Sequence, residues 1–320
     1  MKSVLICGVS GQDGAYLSKF LIEKGYKVFG ASRDAETSSF SKLKKLGIFD
    51  EVHKVSVNIN DFRSVLQSIQ HIKPIEIYNL AGQSSVGLSF EQPVEALESI
   101  SVGTLNLLEA IRFSGLPIKF YNAGSSECFG DTGTNLADEN TPFKPRSPYA
   151  VAKASAFWQV ANYREAYNIK ACTGILFNHE SPLRQERYVT QKIVLAACRI
   201  AKGSKELLSL GNIEIARDWG WAPEYVEAMW MMMQNEIPDD YVIASGRTVT
   251  LSYFVEKVFS YLGLNWKDHV KIDNSLLRPT DIKANYANPS KALENLGWEA
   301  KLTIEDIIKE LVDSANETMI

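Results

Sequence analysis

Cysteine is scarce in this 320-residue chain. The positions of the cysteines argue against a metal site and against a disulfide framework. The four cysteines, Cys7, Cys128, Cys172 and Cys198, are scattered, and no two stand at a spacing typical of a metal centre. The sequence therefore predicts no metal site. Free thiols in a reducing compartment are favoured over a disulfide framework, so we expect a cytoplasmic protein.

Long apolar runs and an excess of basic residues are also missing. No stretch is long enough to span a bilayer. The short apolar run at the start stops at glycines after a single lysine, which favours a strand over a signal peptide. The net charge is −4 and the isoelectric point is near 5.7. The chain therefore lacks the overall positive charge that is typical of nucleic-acid-binding proteins. We expect neither a membrane nor a nucleic acid as partner.

The first half of the sequence alternates strand and helix patterns. Short apolar runs predict strands at residues 3–7, 27–30, 52–57, 75–80, 118–122 and 171–177. Helical spacing lies between them, near 61–72, 93–114 and 147–167. Such alternation predicts an α/β fold built on a doubly wound parallel sheet of the Rossmann type.

The second half is less regular and predicts a smaller, mixed α/β C-terminal lobe. Its helices are expected near 188–202, 222–235, 251–262 and 303–317, with short strands between them. No proline- or glycine-rich linker, low-complexity tract or internal repeat divides the chain. We expect residues 1–176 to form the sheet domain and residues 177–320 a substrate-binding lobe, with the lobes interleaved and the boundary approximate.

Three glycines follow the first predicted strand, namely Gly8, Gly11 and Gly14. Glycine permits a tight turn and lets the backbone approach a pyrophosphate. The helix that follows offers unpaired N–H groups and the positive end of its dipole. In this strand–turn–helix context the spacing predicts that residues 1–176 bind a dinucleotide.

The end of the second predicted strand bears on the choice of dinucleotide. An acid there would hold the ribose diol of NAD, whereas an arginine would hold the 2′-phosphate of NADP. The sequence has Arg33 followed by Asp34. Arg33 favours NADP as the cofactor, and Asp34 keeps NAD open.

Tyr149 and Lys153 lie four residues apart in a predicted helix, which places both side chains on one face. An ammonium beside a phenol stabilises the phenolate and lowers its pKa, and so creates a general base. Ser125 follows the fifth predicted strand, at the edge of the sheet where ligands bind in this fold. There it could hydrogen-bond a substrate hydroxyl beside Tyr149.

In this order, the glycines, the serine and the Tyr-x-x-x-Lys pair resemble the extended short-chain dehydrogenases/reductases. Longer strings resemble the GDP-mannose 4,6-dehydratase family in particular. The most specific are Asn178-His179-Glu180-Ser181-Pro182 and Arg217-Asp218-Trp219-Gly220, and others are Gly11-Gln12-Asp13-Gly14, Tyr78-Asn79-Leu80, Gln83-Ser84, Ser147-Pro148-Tyr149 and Arg278-Pro279-Thr280. The resemblance covers nearly the whole chain and implies that residues 177–320 bind a nucleotide sugar.

The resemblance also implies roles for single residues. Ser125, Glu127, Tyr149 and Lys153 match the catalytic set. The cofactor-binding positions are Gly8, Gly11, Gln12, Asp13, Gly14, Arg33, Asn58, Ile59, Leu80, Ala81, Gly82, Ser84, His179 and Arg184, together with Tyr149 and Lys153. The positions around a GDP-sugar are Ser85, Asn178, Lys192, Arg217 and Arg278, together with Glu127.

Glu127 decides which reaction the resemblance implies. Removal of hydride from C4 of a hexose leaves a ketone, which acidifies the C5 proton. A carboxylate takes this proton while the C6 hydroxyl leaves as water, and hydride returns to C6. Epimerases of the superfamily need only the serine, tyrosine and lysine, so the added carboxylate predicts conversion of a GDP-hexose to its 4-keto-6-deoxy form. A nucleotide-sugar epimerase or 4-ketoreductase, and a non-catalytic nucleotide-binding protein, remain alternatives.

Several positions depart from the residues usual in the family. They are Asp34, Asn58, Ser85, Leu183 and Trp221, and the segment from Leu264 to Leu277 is short. Ser85, Leu183 and Trp221 are expected to affect the sugar pocket or the loops beside the cofactor. GDP-mannose is therefore the default substrate, with a GDP-linked heptose or 2-acetamido sugar as alternatives.

The stretches 93–114 and 147–167 carry apolar residues on more than one helical face, Leu105 and Trp158 among them. A helix that is apolar beyond one stripe usually buries a second face. The resemblance implies that these helices pair across a two-fold axis. We therefore expect a homodimer or a homotetramer.

Overall fold

The computed structural model of the chain describes residues 2–318. The strands are β1 Ser3–Cys7, β2 Lys27–Ser32, β3 His53–Ser56, β4 Glu76–Asn79, β5 Lys119–Ala123, β6 Leu136–Ala137, β7 Ala171–Leu176, β8 Asn178–Glu180, β9 Leu208–Leu210, β10 Ala216–Trp221, β11 Tyr241–Ile243, β12 Thr248–Thr250, β13 Val270–Ile272 and β14 Tyr286–Ala287. The helices are α1 Gln12–Glu23, α2 Ser41–Lys45, α3 Phe62–Ile72, α4 Val86–Glu91, α5 Pro93–Leu97, α6 Gly103–Ser114, α7 Pro148–Tyr167, α8 Val189–Ala201, α9 Ala222–Gln234, α10 Leu251–Tyr261, α11 Ser290–Leu296 and α12 Ile304–Thr318.

Seven parallel strands form the central sheet, in the order β11-β7-β5-β4-β1-β2-β3. The order reverses at β1, because β2 and β3 lie on one side of it and β4, β5 and β7 on the other. Ligands of doubly wound sheets bind outside the carboxyl ends of the strands at such a reversal. The predicted doubly wound parallel sheet is confirmed.

The residues of β1 explain why both faces of the sheet are covered. Val4 and Ile6 pack with residues of α1 and α9 on one face. Leu5 and Cys7 pack with residues of α3 and α6 on the other, since successive side chains of a strand alternate. All four are fully or almost fully buried. Burying an aliphatic side chain of this size stabilises a fold by about 1.5–3 kcal/mol, so an uninterrupted apolar run is what this position requires.

The helices that flank the site begin and end close to the predicted bounds. The predicted helix over 93–114 is present as α5 and α6, joined by a π-helical turn at Glu98–Val102. α7 begins after Ser147, whose Oγ accepts a hydrogen bond from the Ala150 N–H at 3.1 Å. It ends at Asn168, which adopts a left-handed conformation with φ of 54°. Within residues 2–318, no helix combines the length and apolar character needed to cross a bilayer.

The C-terminal part of the chain contributes a second, smaller layer. β8, β10 and β12 form a three-stranded sheet in which β10 runs parallel to β8 and antiparallel to β12. Helices α8, α10 and α12 enclose a separate apolar core around Trp219 and Phe254. β10 and β8 therefore bring the two strings Arg217–Gly220 and Asn178–Pro182 side by side.

The chain passes between the two layers more than once. β11 pairs with β7 in the large sheet, and α9 packs against α1. Residues 222–243 thus belong to the large layer although they follow residue 176, and β14 returns to pair with β6. The division into interleaved lobes of residues 1–176 and 177–320 stays a prediction.

Candidate active site

A cleft of about 870 Å³ opens at the carboxyl ends of β1, β2 and β4. It brings together most of the predicted cofactor positions. Those that line it are Gly8, Gly11, Gln12, Asp13, Gly14, Arg33, Asn58, Ile59, Leu80, Ala81, Gly82, Ser84 and Arg184. The other three predicted cofactor residues, Tyr149, Lys153 and His179, are not in its lining, although His179 contacts Asp13.

The glycine turn leaves no room for side chains. Gly8 has φ of +89°, and a Cβ there would lie 2.7 Å from the carbonyl oxygen of Leu80. A Cβ on Gly14 would lie 2.4 Å from the carbonyl oxygen of Gly8. The backbone is therefore bare where α1 begins, and a bare helix N-terminus of this kind accepts a pyrophosphate. The residues present thus fit a bound dinucleotide.

Asp13 and His179 tie the glycine turn to β8. His179 Nε2 lies 2.9 Å from Asp13 Oδ2, and His179 Nδ1 lies 2.8 Å from the carbonyl oxygen of Phe177. Burial alone would raise the pKa of Asp13. The charge of His179 and its hydrogen bond outweigh burial and lower the pKa of Asp13 to about 2. The pKa of His179 is raised, because the attraction of Asp13 outweighs its burial. The contact between Asp13 and His179 therefore fixes the start of α1 against β8.

Arg184 extends from the loop between β8 and α8 into the same cleft. Its Nε lies 3.4 Å from Glu180 Oε2, and its guanidinium carbon lies 3.8 Å from the centre of the Tyr188 ring. Tyr188 also pairs its hydroxyl with Ser84 Oγ at 2.7 Å. Tyr188 lines the cleft but has no sequence pattern that distinguishes it from an ordinary helix-start residue.

Asp34 lies close to the cleft, but its carboxylate is engaged in a turn. Its Oδ1 accepts hydrogen bonds from the N–H groups of Glu36 at 2.9 Å and Thr37 at 3.2 Å. Hydrogen bonding from Thr37, and then from Glu36, lowers the pKa of Asp34. Arg33 makes no hydrogen bond to another residue within 2–318 and lines the cleft. Of these two neighbours, Asp34 is therefore held by the backbone, whereas the Arg33 side chain has no hydrogen-bond partner among residues 2–318.

Ser125, Tyr149 and Lys153 meet where β5 ends beside α7. Ser125 is buried, and its Oγ accepts a hydrogen bond from the Glu127 N–H at 3.3 Å. Burial raises the pKa of Tyr149, and hydrogen bonding with Ser125 offsets part of the rise. Lys153 donates a hydrogen bond to the carbonyl oxygen of Ala123 at 2.7 Å, and burial lowers its pKa to about 8. The three predicted catalytic side chains therefore form one cluster.

Glu127 lies beside this cluster and faces two arginines. Burial raises its pKa, and the positive charges of Arg217 and Arg278 counteract the rise. Arg217 is buried, and its guanidinium donates to the carbonyl oxygen of Ile282 at 2.8 Å and to Asp281 Oδ1 at 3.1 Å. Arg278 lies 3.5 Å from the same Asp281 oxygen. Asp281, which the sequence did not single out, therefore holds both arginines near the acid.

The remaining predicted substrate residues are not in the lining of the cofactor cleft, and they make different contacts. Asn178 stands on β8 opposite Trp219 of β10. Lys192 on α8 donates to the carbonyl oxygen of Ser209 at 2.8 Å, which leaves its charge anchored near β9. Ser85 caps α4, because its Oγ accepts from the Leu88 N–H at 3.3 Å. A role of Asn178, Lys192 and Ser85 in substrate binding stays a prediction.

The chain is similar to known proteins along almost its full length. A family model described as GDP-mannose 4,6 dehydratase matches residues 5–311. GDP-mannose 4,6 dehydratase 1 of Arabidopsis thaliana is 47% identical over 324 aligned residues, which cover 98% of this chain and 89% of that protein. GDP-mannose 4,6-dehydratase of Yersinia enterocolitica is 41% identical, with 98% of this chain and 93% of that protein covered.

Solved structures agree on the fold. A dTDP-glucose 4,6-dehydratase of Bacillus anthracis, in complex with NAD, superposes with a TM-score of 0.86 at 20% identity, covering 99% of this chain and 97% of that one. A UDP-glucose 4-epimerase of Thermus thermophilus superposes with a TM-score of 0.86 at 24% identity, covering 98% of each. With the family match and the identities above, the chain belongs to the GDP-mannose 4,6-dehydratase family.

Proposed function

We propose that this chain is a hydro-lyase that converts GDP-mannose to its 4-keto-6-deoxy form with bound NADP. One observation carries the proposal. Glu127 lies two residues after Ser125, next to the Tyr149–Lys153 pair, and faces Arg217 and Arg278. This arrangement would supply a base for C5, a hydroxyl-binding cluster for C4 and two cations for a diphosphate close to one another.

NADP would be held along the carboxyl ends of β1, β2 and β4. The bare backbone of Gly8 to Gly14 receives its pyrophosphate at the start of α1. Arg33 would meet the adenosine ribose, and His179 of the opposite lobe fixes Asp13. The chemistry that bound NADP would supply is hydride acceptance from C4 of the sugar and hydride return to C6.

Tyr149 is the base for the C4 hydroxyl. Burial raises its pKa in the free protein, so it needs positive charge nearby to act at neutral pH. Lys153 supplies that charge from one helical turn further along α7 and is anchored to the carbonyl of Ala123. Ser125 hydrogen-bonds the same hydroxyl and thereby aligns it with Tyr149.

Glu127 takes the C5 proton once C4 is a ketone. Its burial raises its pKa, which makes it a stronger base than a solvated carboxylate. It then passes the proton to the C6 hydroxyl, which leaves as water as the C5–C6 double bond forms. Arg217 and Arg278 suit the diphosphate because a guanidinium fork matches phosphate oxygens. Their contact with Asp281 fixes them before the substrate arrives.

The function is tested with a panel of nucleotide sugars. GDP-mannose, a GDP-linked heptose, a GDP-linked 2-acetamido hexose and UDP-glucose are each incubated with the purified chain in deuterated water. Mass spectrometry should show loss of water from GDP-mannose together with deuterium at C5. A product of unchanged mass would indicate an epimerase, and loss of water from another member of the panel alone would assign a different sugar.

A homodimer or homotetramer is proposed from an exposed apolar surface. Leu97, Val102 and Leu105, from the stretch that spans α5 and α6, and Val151 and Trp158 on α7 are all exposed, and Trp158 is 63% exposed. The two helical stretches lie side by side. Their outer face would be covered by the same face of a second copy across a two-fold axis, which makes a self-complementary contact.

Light scattering tests this assembly. The parent chain should have at least the mass of a dimer at micromolar concentration, and Trp158→Glu should shift it toward the monomer, because a buried charge in an apolar contact is costly. Ile237→Glu is the matched control, since Ile237 is 81% exposed and lies in the turn between α9 and β11. A monomeric parent chain would contradict the proposal.

A cytoplasmic location is proposed from the cysteines. Cys7, Cys128, Cys172 and Cys198 are all free and buried. Burial raises the pKa of each of these thiols, so they stay protonated and unreactive at neutral pH. Such thiols suit a reducing compartment. Immunofluorescence or fractionation in the source cell would test the location.

A further inference from the structure

Lys42 is a residue of the cofactor cleft that neither the glycine pattern nor the resemblance singles out. It lies on α2, in the segment that follows β2, and its Nζ donates a hydrogen bond to the carbonyl oxygen of Ser10 at 3.1 Å. Lys42 is partly buried and lines the cleft. Lys44 and Lys45 on the same short helix are exposed and are not in the cleft lining. The fold thus directs one of three similar lysines to the glycine turn.

The end of β2, which Lys42 follows, carries a cation and hydroxyl groups that line the same cleft. Arg33 lines the same cleft without a hydrogen bond to another described residue, and the carboxylate of Asp34 is occupied by two backbone N–H groups. Ser32 and Ser38, whose Oγ atoms lie 2.6 Å apart, also line the cleft. Two cations and two hydroxyls therefore stand between the end of β2 and the glycine turn, beside an acid that is already engaged.

Electrostatics agree with an anion at this place. Burial lowers the pKa of Lys42, Asp13 counteracts the shift, and Arg184 and Arg187 add to it. Cations that approach one another inside a cleft repel, and an anion bound between them removes that repulsion. The N–H groups at the start of α1 suffice to bind the pyrophosphate of the dinucleotide. The positive charges of Lys42 and Arg33 are therefore available to bind a further phosphate group.

We propose that Lys42 binds the 2′-phosphate of NADP together with Arg33, and that Lys42 is a determinant of the preference for NADP over NAD. The end of the second strand is where the adenosine ribose lies in this fold. Lys42 reaches the turn from the segment directly after that strand. A lysine ammonium acts on phosphate as a compact point charge, which complements the planar guanidinium of Arg33.

Calorimetric titration of the cofactor-free chain tests this proposal. The probes are 2′,5′-ADP, 5′-ADP, NADP and NAD. Lys42→Met keeps most of the aliphatic stem and removes the charge, so it should weaken binding of 2′,5′-ADP and NADP by about 10- to 100-fold, as for one charge-assisted hydrogen bond. Binding of 5′-ADP and NAD should not change, which also shows that the variant is folded.

Three further variants complete the test. Lys42→Arg should retain most of the affinity for 2′,5′-ADP, and Arg33→Met should lose affinity for the same two ligands as Lys42→Met. Lys45→Met, a charge removal on the same helix outside the cleft, should bind all four probes as the parent does. Equal weakening of NADP and NAD by Lys42→Met would place Lys42 at the pyrophosphate or in the turn itself. Unchanged 2′,5′-ADP binding, or loss of all binding, would likewise overturn the proposal.

Discussion

Replacing Glu127 by glutamine is expected to slow the loss of water from GDP-mannose by about 10²–10⁴-fold, the usual contribution of a general acid–base group. Glutamine keeps the size of the side chain but cannot accept the C5 proton. The cluster of Ser125, Tyr149 and Lys153 is left intact, so oxidation at C4 should still occur. A quenched single turnover, read by mass spectrometry, should therefore contain a 4-keto hexose that retains its C6 oxygen.

The control for this variant is another partly buried glutamate. Glu224 accepts hydrogen bonds from the N–H groups of Lys301 and Leu302 at 3.1 and 3.2 Å, and burial raises its pKa as it does for Glu127. Glu224→Gln should dehydrate GDP-mannose at the parent rate, because the Glu224 carboxylate is engaged by the backbone of Lys301 and Leu302. If Glu127→Gln also keeps the parent rate, another group takes the C5 proton.

Tyr149→Phe is expected to stop the reaction one step earlier, again by about 10²–10⁴-fold in rate. The ring and its packing in α7 remain, but the hydroxyl that removes the C4 proton is gone. Neither the 4-keto hexose nor the dehydrated product should form, and GDP-mannose should incorporate no deuterium at C5. This absence of the ketone distinguishes the variant from Glu127→Gln.

Tyr163→Phe is the matched control for the tyrosine. Tyr163 lies on the same helix, and its hydroxyl donates to Glu109 Oε1 at 2.6 Å, away from Ser125. Its removal should leave the rate at the parent value. A ketone formed by Tyr149→Phe at the parent rate would mean that Tyr149 is not the base, and would direct attention to Ser125 or to a water held by it.

Local sequence patterns were sufficient to predict much of the fold. They also predicted the cluster of Ser125, Tyr149 and Lys153 at the end of β5. β1, the glycine turn and α7 were predictable because each rests on neighbours in sequence: an apolar run, a bare turn and a four-residue spacing. The π-helical turn at Glu98–Val102 escaped prediction, because one inserted residue hardly alters apolar periodicity. β11 escaped it because three residues are too few to show a pattern, and its place in the sheet is set by pairing with β7.

The parts of the site that were missed depend on contacts between distant residues. Asp281 has the sequence character of a loop acid, and only the fold places it between Arg217 and Arg278. Lys42 cannot be told from Lys44 or Lys45 until α2 is set against the glycine turn. The sequence left NAD open on account of Asp34, and the backbone N–H groups that occupy its carboxylate explain why that acid need not meet the ribose.

The position of β11 in the sequence, long after its partner β7, affects how the chain folds during synthesis on the ribosome. A nascent chain that has emerged only as far as β7 carries that strand as an unpaired sheet edge, and such edges readily pair with other chains. β11, which pairs with β7, is separated from it in sequence by β8, α8, β9, β10 and α9. Pairing of β7 with β11 therefore closes a long loop and is expected to be slow. The large sheet is therefore completed only after much of the C-terminal lobe has been synthesised. We expect the two lobes to fold and unfold as one cooperative unit.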